Sequence, residues 1–305
     1  MAKTLTYRAV EALEVDQRII KTTGGVKMHK ECTQGNMNTP NLNLGHPCFS
    51  TKGHGNTGRI HLAVAPGCNI SCNYCVRKFD CANESRPGVT SRVQNAEEAL
   101  ETVAKSKASS IGSKLTVVGI AGPGEPLANP ATFETLRGVK KLFPEMILCL
   151  SSNGLLLPEK IAELVDIGVS HITVTLNTLD EQVGAKIYSY VHWEGKTLIG
   201  PDAARILISN QLEGISLAAK AGMTVKINTV LIPGVNDQLL YSLGMEIKKR
   251  GAHIHNIMPL IPQGKLAHLM PPTKEQLTSS RSSLGSLLPQ MTHCQQCRAD
   301  AIGLL

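Results

Sequence analysis

From residue 59 onward, short runs of β-branched and aliphatic residues alternate with longer stretches whose apolar positions recur at helical spacing. Arg59 to Ala65, Leu115 to Ala121, Met146 to Ser152, His171 to Asn177, Thr224 to Ile232 and His253 to Leu260 read as strands. Val93 to Ala104, Pro130 to Leu142, Pro158 to Asp166, Ala203 to Ala221 and Leu239 to Arg250 read as the helices between them. Strand followed by helix, repeated, calls for parallel strands joined by right-handed crossovers. The units predict an α/β fold, a partial (β/α)6 TIM-type barrel open on one side, with N- and C-terminal extensions. In such barrels the chemistry sits where loops leave the C-terminal ends of the strands, so site residues are expected there.

No internal repeat, low-complexity segment or linker divides residues 46–305, which are expected to form one core domain with a cysteine-bearing tail. Residues 1–45 form an N-terminal extension; its stretch from Asn36 to Gly45 is turn-rich, and no function attaches to it.

With 305 residues, 42% hydrophobic and 18% charged, the chain has the make-up of an ordinary folded protein. No apolar run reaches the roughly 20 residues of a membrane span, and the N-terminus lacks an apolar signal core. A cytoplasmic, monomeric protein is expected, without membrane attachment. The net charge of +7 comes with only 3% aromatic residues and no basic cluster interleaved with them, so nucleic acid is not an expected partner. Anionic ligands or an acidic partner protein would each suit mild basicity. Nine cysteines in such a setting point to metal ligands rather than disulfides.

The cysteines carry the chemistry. Cys68, Cys72 and Cys75 form a CxxxCxxC loop just after the first strand. Structural zinc wants four ligands and usually pairs one CxxC with another, and a ferredoxin run spaces its cysteines by two and ends in Cys-Pro. Buried inert thiols are the bland alternative. Three thiolates can instead hold a four-iron cube and leave one iron open to a small molecule, as in radical S-adenosylmethionine (SAM) enzymes. After the second strand, Ala121-Gly-Pro-Gly-Glu-Pro126 resembles the segment that holds the SAM amine in that class. Its glycines, Gly122 and Gly124, allow close approach to the backbone, and Glu125 can accept a charge-assisted hydrogen bond. Ser152 and Asn153 end the third strand, Thr175 and Asn177 the fourth, and Asn228 lies in the fifth, all with polar groups suited to ribose or carboxylate, and Ile227 could pack on adenine.

A plain SAM enzyme needs none of the six remaining cysteines. Cys294 and Cys297 form a CxxC behind His293, Cys81 follows the SAM loop closely, Cys48 lies in His46-Pro-Cys-Phe49, and Cys149 is in the third strand. His61, in the first strand, can complete a ligand set. Cys48, His61, Cys81, Cys149, Cys294 and Cys297 would supply three ligands to each of two further cubes; Cys32 is the expected non-ligand.

Gly45 to Ser50, Arg59 to Pro66, Cys68 to Cys75, Asp80 to Val89, Ala121 to Pro126, Asn256 to Leu260 and His293 to Ala301 together resemble the NifB family of nitrogenase cofactor maturases, from about residue 45 to the end. The resemblance implies a reaction on clusters. Two 4Fe-4S clusters, held by Cys48, His61, Cys81, Cys149, Cys294 and Cys297, are fused with a SAM-derived carbide and a further sulfide into an 8Fe-9S-C precursor. One SAM would give its methyl group to a cluster sulfide, and a second, cleaved reductively at the 4Fe-4S cluster of Cys68, Cys72 and Cys75, would yield the radical that removes hydrogen from that methyl. Cys294, Cys297 and Cys48 are assigned to one substrate cluster, and Cys81, Cys149 and His61 to the other. Glu84 and Arg86 would handle protons or orient SAM, unless they form an ordinary surface pair. Many relatives carry a C-terminal carrier-like domain, whereas this sequence stops at Gly303-Leu-Leu305, a few residues past the cysteine tail, so a stand-alone core is expected, working with cluster-delivery and precursor-carrier or scaffold proteins. A peptide-modifying SAM enzyme with auxiliary clusters and a passive iron-sulfur scaffold are the rival readings; the scaffold leaves the Gly-Pro-Gly-Glu segment without a role.

Overall fold

The structure is a computed structural model that describes residues 45–49, 53, 55–83, 88, 90, 92–294 and 296–304. The expectations for Cys32, Glu84, Arg86 and the N-terminal extension up to residue 44 lie outside the described residues.

Six parallel strands form the frame: β1 (Gly58–His61), β3 (Leu115–Ile120), β4 (Ile147–Ser152), β5 (Val169–Thr175), β8 (Thr224–Leu231) and β9 (Ile254–Pro259). They run in the order β1-β3-β4-β5-β8-β9, and β10 (Ile302–Leu304) adds antiparallel to the free edge of β1. Among the described residues the α-helices are α1 (Ala96–Lys107), α2 (Pro130–Leu142), α3 (Leu157–Ile167), α4 (Glu181–Ile187), α5 (Gly200–Lys220), α6 (Leu240–Lys249) and α7 (Lys274–Gly285). This is the partial barrel that the alternating pattern predicts. Local chemistry sets the ends: Asn95 and Glu98 close a capping box on α1, and α3 stops at Gly168, whose φ of +89° suits glycine.

The expected first strand, Arg59 to Ala65, is shortened. β1 ends at His61, and the chain then bends so that Ala65 pairs with Pro123 in an isolated bridge. A second sheet, β2 (Ile70–Cys72), β6 (Tyr188–Trp193) and β7 (Lys196–Leu198), has no counterpart in the sequence reading. β2 is three residues long and lies inside the cysteine loop, and its partner β6 is far away in sequence, so no local periodicity reveals it.

The sheet separates two environments by residue parity. Ile60, Val118, Leu148, Leu150, Ile172, Val174, Val225 and Ile227 face the helices and form the main hydrophobic core. Truncating one of them, such as the fully buried Leu150, to alanine costs about 2–5 kcal/mol. The intervening positions face the barrel interior, and many are polar: Arg59, His61, Cys149, Thr173, Lys226 and Asn228. A barrel interior is ordinarily filled by branched apolar side chains, so polar residues on that face mark working space.

Candidate functional site

Two cavities lie within the barrel and share Ser151 as a wall. The first is lined by Cys68, Cys72 and Cys75 together with Cys81 and the Gly124-Glu125 turn. β2 pairs Cys72 with Tyr188, and Cys75 N–H bonds back to the Cys72 carbonyl at 3.0 Å, which folds the cysteine loop onto itself. The Glu125 turn is tied to that loop: Gly124 N–H bonds to Ala65 O at 2.5 Å, and Glu125 N–H to Gly67 O at 2.7 Å. A side chain on Gly124 would stand 2.2 Å from the Gly67 carbonyl oxygen, so only glycine fits there.

Glu125 is buried, and its carboxylate accepts from Leu127 N–H (3.0 Å), Ser152 Oγ (2.6 Å) and Asn153 N–H (2.6 Å). Gln211 of α5 donates to the carbonyls of Asn153 (2.7 Å) and Thr175 (2.8 Å), holding the ends of β4 and β5. Ser152, Asn153 and Thr175 therefore line the first cavity as expected of strand-end residues, and Thr175 Oγ1 is buried there without a partner among the described residues. Burial, with the Glu125 charge second, pushes the Cys68 thiol up to about 11. Cys72 and Cys81 are driven up the same way, by burial first and then by each other's neighbours in the loop.

Three expected SAM contacts lie elsewhere. Asn177 is spent on structure: its amide donates to Tyr74 Oη (2.7 Å) and Tyr188 Oη (3.2 Å) and accepts from Val230 N–H (2.9 Å). Ile227 points into the helix-side core, because Lys226 and Asn228 on either side of it take the inward face of β8. Asn228 lines the second cavity and donates to Asn83 O at 3.0 Å. Gly122 has a φ of +136°, and a side chain there would meet Ala299 and Cys81.

The second cavity gathers Cys48, His61, Cys149, Cys294 and Cys297. Strand register explains part of this: His61, Gly119 and Cys149 are successive partners across β1, β3 and β4. Gly119 lacks a side chain where the His61 ring lies; an added Cβ would stand 3.1 Å from His61 Cδ2 and 3.4 Å from Nε2. The C-terminal tail completes the wall. His293 Nε2 donates to the Pro47 carbonyl at 3.1 Å, joining the tail to the His46 to Phe49 segment, and Met291 N–H bonds to His255 O at 3.0 Å.

Cys81 is not brought to this group. It lies in the first cavity beside the SAM-loop thiols, whereas Cys149 and His61 face the second together with Cys48 and the tail cysteines. Sequence reasoning also passed over three cavity residues, Arg59, Lys226 and His46. For Arg59 and Lys226 the available signal was polar residues recurring every second position in strands that a parallel sheet buries on both faces; His46, in the turns before β1, carried no such signal.

Burial raises the Cys48 thiol to about 11, while desolvation and the nearby Arg59 charge lower His61 to about 4. His61 is thus neutral at ordinary pH and available as a ligand through one nitrogen. Among the described residues, no three His, Cys, Asp or Glu side chains converge tightly enough to share one metal ion. Thiols spread around a cavity suit the separate irons of a cube, and a tetrahedral zinc site needs the opposite. Free thiols at Cys68, Cys72 and Cys75, with a buried Thr175 hydroxyl that meets no partner among the described residues, fit a cluster with a polar ligand beside it.

Residues 62–243 match the Radical SAM superfamily. FeMo cofactor biosynthesis protein NifB of Klebsiella pneumoniae is 49% identical over 85% of this chain and 57% of its own length. The protein of the same name from Chlorobaculum tepidum is 43% identical over 85% of this chain and 62% of its own. The chain therefore spans less than two thirds of the length of these relatives. A radical SAM methyltransferase from Sphaerobacter thermophilus shares the fold at a TM-score of 0.55 and 19% identity, covering 80% of this chain and 70% of that one. Streptococcus suis SuiB bound to S-adenosylmethionine does so at 0.54 and 14%, covering 76% of this chain and 50% of that one. With its cysteine loop at the mouth of a partial barrel, and with this match across the barrel, the chain belongs to the Radical SAM superfamily.

Proposed function

We propose that this chain is a radical SAM enzyme of nitrogenase cofactor biosynthesis, whose substrates are iron-sulfur clusters. The reaction is the fusion of two 4Fe-4S clusters, with a SAM-derived carbide and a sulfide, into an 8Fe-9S-C precursor. The observation that carries this reading is the second cavity: four thiols and two imidazoles face a space that shares Ser151 with the SAM-loop cavity. The likeness to the NifB proteins supports it.

Cys68, Cys72 and Cys75 would hold the SAM-activating 4Fe-4S cluster, which supplies the electron for reductive SAM cleavage. Glu125, Ser152, Asn153 and Thr175 bind and orient SAM at the strand ends, and Gly122 and Gly124 let it approach the backbone. Cys48, Cys149, Cys294, Cys297 and His61 hold substrate clusters. Cys81, which lines the first cavity beside the SAM loop, would contact a cluster there. Glu84 and Arg86 are proposed to assist with protons or SAM orientation. The protein would act in the cytoplasm as a monomer, with cluster-delivery and precursor-carrier proteins as partners.

The test is anaerobic reconstitution with iron and sulfide, followed by iron counting, electron paramagnetic resonance and product analysis with SAM. About twelve irons per chain are expected, four per cubane. SAM cleavage should require only reductant and the reconstituted clusters. About four irons, or turnover only with an added peptide, would overturn the reading in favour of a peptide-modifying enzyme.

A further inference from the structure

The second cavity holds two imidazoles whose tautomers the backbone fixes in opposite senses. His61 Nδ1 lies 3.1 Å from the Arg298 carbonyl oxygen. A carbonyl can only accept, so the ring proton is on Nδ1 and Nε2 keeps its lone pair. That is the arrangement of a metal-binding histidine with its other nitrogen anchored. His46 is reversed. Its Nδ1 receives the Cys48 backbone N–H at 3.1 Å, so it carries no proton, and the proton of the neutral ring sits on Nε2. His46 is only 1% exposed, lines the cavity, and its Nε2 has no hydrogen-bond partner among the described residues. The ring cannot easily turn, because Phe49 and His171 pack against it at 4.5 and 4.7 Å between centroids.

Beside it is a buried cation. Lys226 is 6% exposed; its Nζ sits 4.8 Å from the centre of the Phe49 ring and 3.7 Å from Met291 Sδ, and the residue lines the same cavity. Parity on β8 aims this lysine inward while Ile227 goes to the core. A cubane with thiolate ligands is anionic, and its bridging sulfides accept hydrogen bonds but cannot donate them. Facing it with a second lone pair would repel, whereas N–H donors and a positive charge compensate a buried anion.

We infer that His46 is a hydrogen-bond donor rather than an iron ligand, and that with Lys226 it forms a donor wall that recognises the anionic sulfide face of the cluster held in this cavity. This rests on the reading that the cavity receives an iron-sulfur substrate. Hydrogen bonds and charge near cluster sulfurs raise the reduction potential, so the wall also sets how readily the substrate cluster is reduced.

The test uses the reconstituted full chain as wild type, His46→Phe, His46→Gln, Lys226→Met, Lys226→Arg and His61→Ala. Potentiometric titration, pulsed measurement of nitrogen hyperfine coupling and iron loss to a chelator are the readouts. His46→Phe and Lys226→Met should keep the nitrogen coupling, shift the potential of one non-SAM cluster to more negative values, and speed iron loss by about tenfold, the scale of one charge-assisted hydrogen bond. His46→Gln and Lys226→Arg, which keep a donor, should recover most of both effects. His61→Ala should remove the coupling. Loss of the coupling in His46→Phe would make His46 a ligand and overturn the inference. Unchanged potential and iron loss in both His46→Phe and Lys226→Met would overturn it as well. If His46→Phe does not fold, the Lys226 pair decides by the same criteria. A wild type with only about four irons would instead remove the substrate reading beneath it, a distinct result because no second cluster signal would exist in any variant.

Discussion

The two cavities differ in how their donors are supplied. The SAM-loop cavity takes its three thiols from one short segment, closed by a Cys75 to Cys72 backbone bond and by the Gly124-Glu125 turn docked on it. The second cavity draws Cys48 from before β1, His61 from β1, Cys149 from β4 and Cys294 and Cys297 from the tail. A local loop keeps its spacing even if the barrel breathes, which suits a cofactor that stays. A cavity assembled from distant segments, with the neutral His61 imidazole as a ligand among its thiols, suits a cargo that must be released. The polar setting differs in the same way: a buried carboxylate, Glu125, stands beside the SAM loop, and the buried cations Arg59 and Lys226 stand in the second cavity.

The largest effect should come from Cys72→Ala. It is expected to abolish SAM cleavage and remove about four irons per chain, leaving the second-cavity signals in place. Loss of all cluster signals together would break the separation of the two sites. Cys297→Ala should do the reverse, keeping SAM cleavage while precursor formation stops; full precursor yield would take the tail out of the ligand set. Cys81→Ala sharpens the boundary between the two. Because Cys81 lines the first cavity, the SAM-loop cluster spectrum should change and the second-cavity spectrum should not. The opposite pattern would return Cys81 to the group of Cys149 and His61.

Gly119→Ala should act more mildly, since its Cβ would press on the His61 ring at 3.1 Å. A cost of roughly 1–3 kcal/mol in thermal or denaturant unfolding is expected, with a weakened nitrogen coupling in the cluster spectrum. The smallest effect is the pH dependence of loading. Cys48 and Cys68 titrate near 11 in the metal-free chain, so both are protonated below that pH and must release protons to bind iron. Reconstitution should therefore strengthen as pH rises from 7 to 9 in both cavities. His61, at about 4, is already neutral across this range and should add no pH dependence.

Much of the frame was legible. α2 occupies the expected Pro130 to Leu142, and the five later strands of the frame lie within about two residues of the expected ranges, because each has a local apolar period and clear turn residues. The cysteine loop and the Glu125 turn were legible for the same reason. β10 was not, since a short edge pairing with a distant partner leaves no periodic trace; the β6–β7 hairpin was passed over although Glu194-Gly195, both at positive φ, form a local two-residue turn. Ile227 shows the limit within a correctly placed strand. Its identity suits an adenine contact, but strand parity decides the face, and the parity is set by which neighbours the barrel turns inward.

The sequence by itself determined the residues that share a short loop or a period: CxxxCxxC, Gly-Pro-Gly-Glu and the strand and helix alternation. These depend on spacings of a few residues, which covalent geometry preserves in any fold. Only the tertiary structure decided which thiols face which cavity, because Cys48, Cys149 and Cys297 are brought together by strand register and the return of the tail. It also decided the two tautomers. The partner that sets His46 is the amide two residues away, whereas the partner that sets His61 is a carbonyl 237 residues along the chain. A nitrogen's role as donor or ligand follows from the group that its other nitrogen meets, and that meeting is made by folding.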